Sequence, residues 1–270
     1  MSHEISTSSL YAMLGLPDAP VIVDVRNEAD CSAYPRMIPG TLRRDPLRIG
    51  EWAERLPPAP LLAVYCSDGQ GASRSVMETL SARAYAVRML TGGIQGWVEG
   101  THPTVRIRTE LKVPGGSRWI TRERPKIDRL ACPWLIRRFI DPEAQFFYTP
   151  SHRVRADAGA LAAEPYDITG VTFSHRGPRC SFDAFLDEFD LRDPVMDTVA
   201  AIVRAADTGA LAQSREAPGL LAISLGLSAN ITDDILLLEQ AMPIYDALYA
   251  WRKTASQETH SWPQAQSPVA

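Results

Sequence analysis

The segment Leu61–Ser75, LLAVYCSDGQGASRS, decides how the N-terminal half is read. Its first six residues form an unbroken apolar run of strand length, and such a run bounded by turn residues reads as a buried strand of a parallel sheet. Glycines at 69 and 71 then break the run, and Ser73 is placed as the N-cap of a helix over SRSVMETLSAR, Ser73–Arg83. The loop therefore joins the carboxyl end of a strand to the start of a helix, where open α/β sheets bind ligands. Successive backbone N–H groups in a glycine turn make an anion nest and the helix N-terminus adds positive potential, so a cysteine placed there favours its thiolate. Cys66 is the candidate nucleophile, with Ser67, Asp68, Gly69, Gln70, Gly71, Ala72, Ser73 and Arg74 as its anion-binding loop. Taken alone, a cysteine ending an apolar strand is more often inert packing. The glycine loop and helix start reverse that preference.

Working outward, PVIVDV (Pro20–Val25) and YAVRML (Tyr85–Leu90) repeat the strand pattern on either side, with helix-like stretches between them. The N-terminal half is thus expected to be an α/β domain with a parallel sheet flanked by helices, over residues 1–103. Pro103, Pro114, Gly115 and Gly116 mark residues 104–117 as a linker. From Arg118 helical spacing dominates, in DRLACPWLIRRFID, SFDAFLDEFD, DPVMDTVAAIVRAAD and Thr232–Arg252, with AQFFYT and GVTFSH as strands. Residues 118–254 are expected to be a mostly helical α+β domain, and 255–270, rich in Gln, Ser and Pro, a disordered tail.

A net charge of −4 across 270 residues offers no dominant basic surface, so no nucleic-acid partner is expected. The N-terminus lacks a basic, then apolar, then small-residue signal, and no stretch is apolar for the length of a bilayer span. A cytoplasmic chain with no membrane partner is expected. Cys31, Cys66, Cys132 and Cys180 form no CxxC pair, which argues against a disulfide framework or a zinc ribbon.

VIVDVRNEAD, IPGTLRRDP, YCSDGQGASRS and LTGGIQGWVEG fall in the order and spacing of the rhodanese (sulfurtransferase) homology domain, which the chain resembles from about Leu10 to Gly100. The resemblance implies that Cys66 accepts sulfur as a persulfide, that Asp24 and Arg26 organise the neighbourhood of the loop, and that Gly92, Gly93 and Trp97 are framework. Gly71 and Ala72 stand where active members commonly carry an arginine-serine pair, with Ser73 and Arg74 following. The Cys-x5-Arg loop of the related phosphatases is absent, because Ala72 occupies its arginine position.

In the C-terminal half, KIDRLACPWLIRRFID sets basic residues around an apolar stripe. Pro133 places a helix start near Cys132, with Asp128 as a candidate cap. VTFSHRGPRCSFDAF brings imidazole, guanidinium and thiol to a second helix start. Arg129, His175, Arg176, Cys180, Arg137 and Arg138 are the candidate oxyanion site, weighed against core thiols and a solvated arginine face. Asp207 and Glu239 with His175 and Cys180 would be a metal site, but they lack compact ligand spacing, so neither metal nor other cofactor is assigned. IDRLACPWLIRRFIDPEA, FSHRGPRCSFDAFL, IVRAADTG, GLLAISLGLS and YDALYAWRK resemble the C-terminal domain of the chromate-resistance protein B family, over about Arg118–Lys253.

Together the resemblances imply a sulfurtransferase, with Cys66 carrying a persulfide, in chromate or oxyanion stress resistance. Its partners would be a small oxyanion or sulfur-donor substrate (thiosulfate, a persulfide, or chromate) and a thiol acceptor. The alternative is a non-catalytic protein that senses chromate through the basic cluster, with a degenerate rhodanese module.

Overall fold

The computed structural model describes residues 3–111, 113 and 115–258. The N-terminal half runs β1 (Glu4–Ile5), α1 (Thr7–Met13), β2 (Val21–Asp24), α2 (Glu28–Ala33), β3 (Arg36–Met37), β4 (Thr41–Arg43), α3 (Ile49–Trp52), β5 (Leu62–Tyr65), α4 (Ala72–Ala82), β6 (Val87–Leu90), α5 (Gly93–Glu99) and β7 (Val105–Arg106). Its sheet has the order β1-β6-β5-β2-β4, and every neighbouring pair is parallel. The expected α/β domain is what forms, with β5 at its centre. Helix α4 starts at Ala72, one residue before the expected cap, so Ser73 lies inside the helix. Strand β7 falls within the stretch read as linker and pairs antiparallel with β3.

The C-terminal half is helix-rich: β8 (Arg118–Arg122), α6 (Asp128–Leu135), β9 (Gln145–Thr149), α7 (Val154–Leu161), β10 (Glu164–Pro165), α8 (Ser181–Glu188), α9 (Pro194–Asp207), α10 (Ala217–Asn230) and α11 (Asp234–Ala250). β8 is the middle strand of a parallel sheet of order β10-β8-β9. GVTFSH does not form a strand of its own; Phe173 makes only an isolated bridge to Tyr166. Residues 259–270, most of the expected tail, lie outside the described residues.

Pro133 corrects the expected start of α6. The helix begins four residues before Cys132, at Asp128, and holds Pro133 in its interior. A proline there leaves the carbonyl four residues back without its helical donor. That carbonyl, on Arg129, accepts the Tyr166 hydroxyl at 3.3 Å instead. A side chain from beyond β10 thus replaces the missing bond.

The halves share one large apolar core, and the N-terminal half has a second core of its own. Alternation along the strands sends Val23, Leu62, Val64 and Met89 to one face of the large sheet, where they pack with Val76, Met77 and Leu80 of α4. Ile22, Ala63, Tyr65 and Leu90 face the other way and share one apolar core with Trp119, Trp134, Phe139 and Tyr249 of the C-terminal half. Polar links seal the junction. Lys253 Nζ donates at 2.7 Å to the carbonyls of both Tyr11 and Leu14, and Arg36 pairs with Asp190 at 2.7 Å. Gly40, at φ +73°, donates its N–H to the Phe139 carbonyl at 2.9 Å, and a Cβ there would stand 2.6 Å from the Arg138 carbonyl oxygen.

Both halves should therefore unfold in one cooperative transition, followed by near- and far-UV circular dichroism in urea. Gly40→Ala, which sets a side chain at positive φ against the partner backbone, should lower stability by about 1–3 kcal/mol. Two resolved transitions in the wild-type chain would contradict the shared core.

Candidate active and ligand sites

Cys66 directly follows β5 and is 5% exposed. Its Sγ donates to the Gln70 carbonyl at 2.9 Å and lies 3.2 Å from Ser73 Oγ and 3.5 Å from Asp68 Oδ1. The loop is pinned from below by α5. Ile94 and Gln95 donate their N–H groups to the carbonyls of Cys66 and Ser67, at 3.0 and 3.1 Å. Gly93 permits this approach, since a Cβ there would sit 2.4 Å from the Cys66 carbonyl oxygen and 2.6 Å from the Gly69 nitrogen. Gly71, at φ +48°, has open space beside it, so the loop's outer rim faces solvent.

The electrostatics of the loop depart from a purely cationic nest. The Gln70 N–H holds the Asp68 carboxyl below its usual range, so a negative charge stands beside the thiol at neutral pH. Arg74 is exposed and lines a surface groove with His3, Met77, Glu78 and Ser81 that does not include Cys66. Ser67, Gly69 and Ala72 contribute backbone to the loop, while Ser73 is fully buried and donates to the Gln70 carbonyl.

Asp24 and Arg26 do not brace the loop as expected. They form a fully buried ion pair at 2.6 Å; Arg26 donates onward to the carbonyls of Tyr34 and Arg36, and Asp24 accepts the Tyr65 hydroxyl at 3.1 Å. Asp24 is in register with Tyr65 across β2 and β5, and so shares Tyr65's face. Cys66, one residue later, faces the opposite side.

The expected cationic cluster in the C-terminal half is not assembled either. Arg137 pairs with Glu239 at 2.5 Å, Arg138 grips Asp246 through two bonds at 2.8 and 2.9 Å, and Arg176 pairs with Glu188 at 2.5 Å. Cys180 is buried at the α8 N-cap, where burial pushes its thiol well up, and Cys132 is buried likewise. Neither is a nucleophile in this setting. Arg129 and His175 do come together, but around carboxylates: each contacts Asp167, at 3.2 and 3.5 Å.

His175 Nε2 also lies 3.3 Å from Asp128 Oδ2 and 3.2 Å from Asp207 Oδ2. One ligand atom from each of Asp128, His175 and Asp207 falls within 4.8 Å of the others. Asp128 starts α6 but does not cap it; its Oδ2 accepts the Ser181 N–H of α8 at 3.1 Å. Asp207 ends α9, and Asp167 sits after β10 at φ +52°. They line a cleft of ≈ 360 Å³. In the sequence Asp128 is marked only as a candidate cap, and nothing marks Asp167. The one signal in the sequence was the pairing of His175 with Asp207 as ligand types, which spacing could not support. Glu239 and Cys180, grouped with them, belong elsewhere.

The Asp128 hydrogen bond, aided by the charges of Asp207 and Asp167 and opposed by burial, pushes the His175 imidazole up to about 9. Burial, then Asp128, pushes the Asp207 carboxyl up to about 7, and burial raises Asp167. A raised histidine stabilises fully below its unfolded value of about 6.5 and loses that contribution as pH climbs through its folded value. The raised Asp207 acts in the same direction, from about 4 to its folded value. In metal-free buffer, urea stability should fall as pH rises from about 6 to about 9.5. His175→Ala should flatten the alkaline part of that fall; an unchanged slope would contradict the contacts.

Residues 6–100 match the family model described as rhodanese-like domain, and residues 119–252 match that described as ChrB, C-terminal domain. Protein ChrB of Cupriavidus metallidurans is 36% identical over 135 residues, 50% of this chain and 40% of that protein, so the chain spans well under half of that relative. A rhodanese-related protein from Thermoplasma volcanium is 25% identical over 38% of this chain and 97% of its own, with a TM-score of 0.34. A thiosulfate sulfurtransferase from Pseudomonas aeruginosa is 25% identical over 40% of this chain and 20% of its own, with a TM-score of 0.35. The chain joins a rhodanese-like domain, residues 6–100, to a ChrB C-terminal domain, residues 119–252.

Proposed function

We propose that this chain is a sulfurtransferase whose Cys66 carries sulfane sulfur as a persulfide, serving resistance to chromate in the cytoplasm. The observation that carries this reading is the position of Cys66: a lone thiol after the central strand of a parallel sheet, in a loop held by the close approach of Gly93 and rimmed by solvent-facing Gly71. In the first half-reaction the Cys66 thiolate attacks the outer sulfur of a donor persulfide, forming a Cys66 S–S bond and releasing the donor thiolate. In the second, an acceptor thiolate attacks the outer sulfur of Cys66–S–SH, leaving as the new persulfide while Cys66 returns as a thiolate. The sulfane sulfur keeps its oxidation state in both steps, one S–S bond forming as one breaks, so no external oxidant is required. The four free, buried cysteines suit a reducing compartment.

Asp68 bears on the donor. An ionised carboxylate 3.5 Å from Sγ repels a doubly charged thiosulfate more than a singly charged or neutral persulfide. A low-molecular-weight thiol persulfide is therefore the favoured donor, and a reduced thiol the acceptor. Chromate binding by a cationic cluster has less support, because Arg137, Arg138 and Arg176 each end on a carboxylate.

Incubation with a persulfide donor should add one sulfur atom to the intact chain by mass spectrometry, and Cys66→Ala should abolish the gain while Cys31→Ala keeps it. Equal gain by Cys66→Ala would overturn the assignment. Asp68→Asn should raise the thiosulfate rate severalfold relative to the persulfide rate; a falling ratio would show that the carboxylate assists the thiosulfate reaction.

A further inference from the structure

We propose that Asp128, His175 and Asp207 form a binding site for one divalent transition-metal cation, of the class of Mn²⁺, Fe²⁺ or Zn²⁺, in the cleft of the C-terminal half. The donors come from three separate elements: the first residue of α6, the last residue of α9, and the loop before α8. Their spacing fits a coordination sphere. Around an ion with bonds of about 2.1 Å, neighbouring ligand atoms stand about 3.0 Å apart in an octahedron and about 3.4 Å apart in a tetrahedron. The His175 nitrogen lies 3.3 Å from Asp128 Oδ2 and 3.2 Å from Asp207 Oδ2, between those values.

Charge balance gives an independent argument. Asp167 is answered by Arg122 at 2.7 Å and Arg129 at 3.2 Å. Asp128 and Asp207 have no arginine or lysine partner among the described residues and share the single imidazole of His175. Their side chains are 2% and 16% exposed, so water screens them poorly, and with both ionised even a protonated imidazole leaves one negative charge over. A dication would supply the missing charge and would free the imidazole nitrogen to act as a ligand.

The surroundings orient the donors as outer partners do in metal centres. The Ser181 N–H holds Asp128, and the Ser181 hydroxyl holds Asp167 at 2.8 Å, whose Oδ1 lies 3.5 Å from the same His175 nitrogen. His175 is 41% exposed on the cleft, so an ion has a path in and keeps positions for water or a substrate oxygen. A carboxylate-rich set with one imidazole favours Mn²⁺, Fe²⁺ or Zn²⁺ over the thiolate-seeking Cu⁺. Cys132 and Cys180 supply no ligand atom to this set.

The test uses the full-length chain, stripped with a chelator and desalted, then titrated calorimetrically with MnCl₂ and separately with ZnCl₂. At least one of the two should bind at one ion per chain and raise the melting temperature. His175→Ala and Asp207→Asn should each weaken that binding by at least about tenfold. Both replace side chains at the cleft rather than the buried Asp128, and unchanged near-UV circular dichroism would show that they remain folded. Cys66→Ala should bind as wild type, and His175→Ala should still gain sulfur at Cys66, which separates this site from the sulfur-transfer reading. Absence of one-to-one binding of either ion, or wild-type affinity in the double variant His175→Ala/Asp207→Asn, would overturn the proposal.

Discussion

Adjacent side chains of an extended strand point to opposite faces, and at the end of β5 this rule divides the whole molecule. Tyr65 points to the face that the C-terminal half covers, where its hydroxyl accepts the Ile38 N–H and donates to Asp24. Cys66 belongs to the other face, with Val64 and the α4 residues Val76, Met77 and Leu80. A one-residue slip of the strand would exchange the two, setting a thiol into the junction and a tyrosine under the loop. The reactive position and the interdomain core are therefore consequences of one register.

That register explains why the halves cannot be treated as beads on a string. Parallel sheets need both faces covered. Here α4 lies on one, while the other is closed jointly by α1, α5 and the aromatic layer around Trp119, Trp134 and Tyr249. Burying that face against aromatic residues draws on the hydrophobic effect, while Arg36, Arg44 and Lys253 add directional links across the rim. The Asp24–Arg26 pair belongs to this system: fully buried, it ties the carbonyls at 34 and 36 to the sheet on the junction face.

Charge is distributed unevenly over the C-terminal half. Arg129, Arg137, Arg138 and Arg176, which look free in the sequence, are used structurally, each meeting an acidic partner on another element. Carboxylates that carry no motif instead converge where α6, α9 and the loop before α8 meet. Ile127 at φ +40° and Asp167 at φ +52°, on either side of this cleft, hold backbone conformations that non-glycine residues seldom adopt. Their neighbours restrain them: the Ile127 carbonyl accepts the Tyr245 hydroxyl, and the Asp167 N–H donates to Phe173.

The sequence by itself determined the elements whose signals are local. The apolar runs of β2, β5 and β6, the glycine loop after Cys66, the helical spacing of α8, α9 and α11, and the paired glycines at the start of α5 were all legible, because each depends on residues a few positions apart. β1 and β8 were not, since two residues carry no periodicity and the RWITR of β8 mixes charge with apolar groups. The start of helix α6 was misplaced near Cys132 because the hydroxyl that replaces its missing donor comes from Tyr166, thirty-seven residues beyond the Arg129 carbonyl that accepts it. Only the tertiary structure decided which charged groups meet. Asp128, Asp167, His175 and Asp207 lie on different elements, and a carboxylate's role depends on the partner that folding brings to it. Spacing along the chain records the period of a helix or strand, but not which two helix ends and which loop will share a cleft.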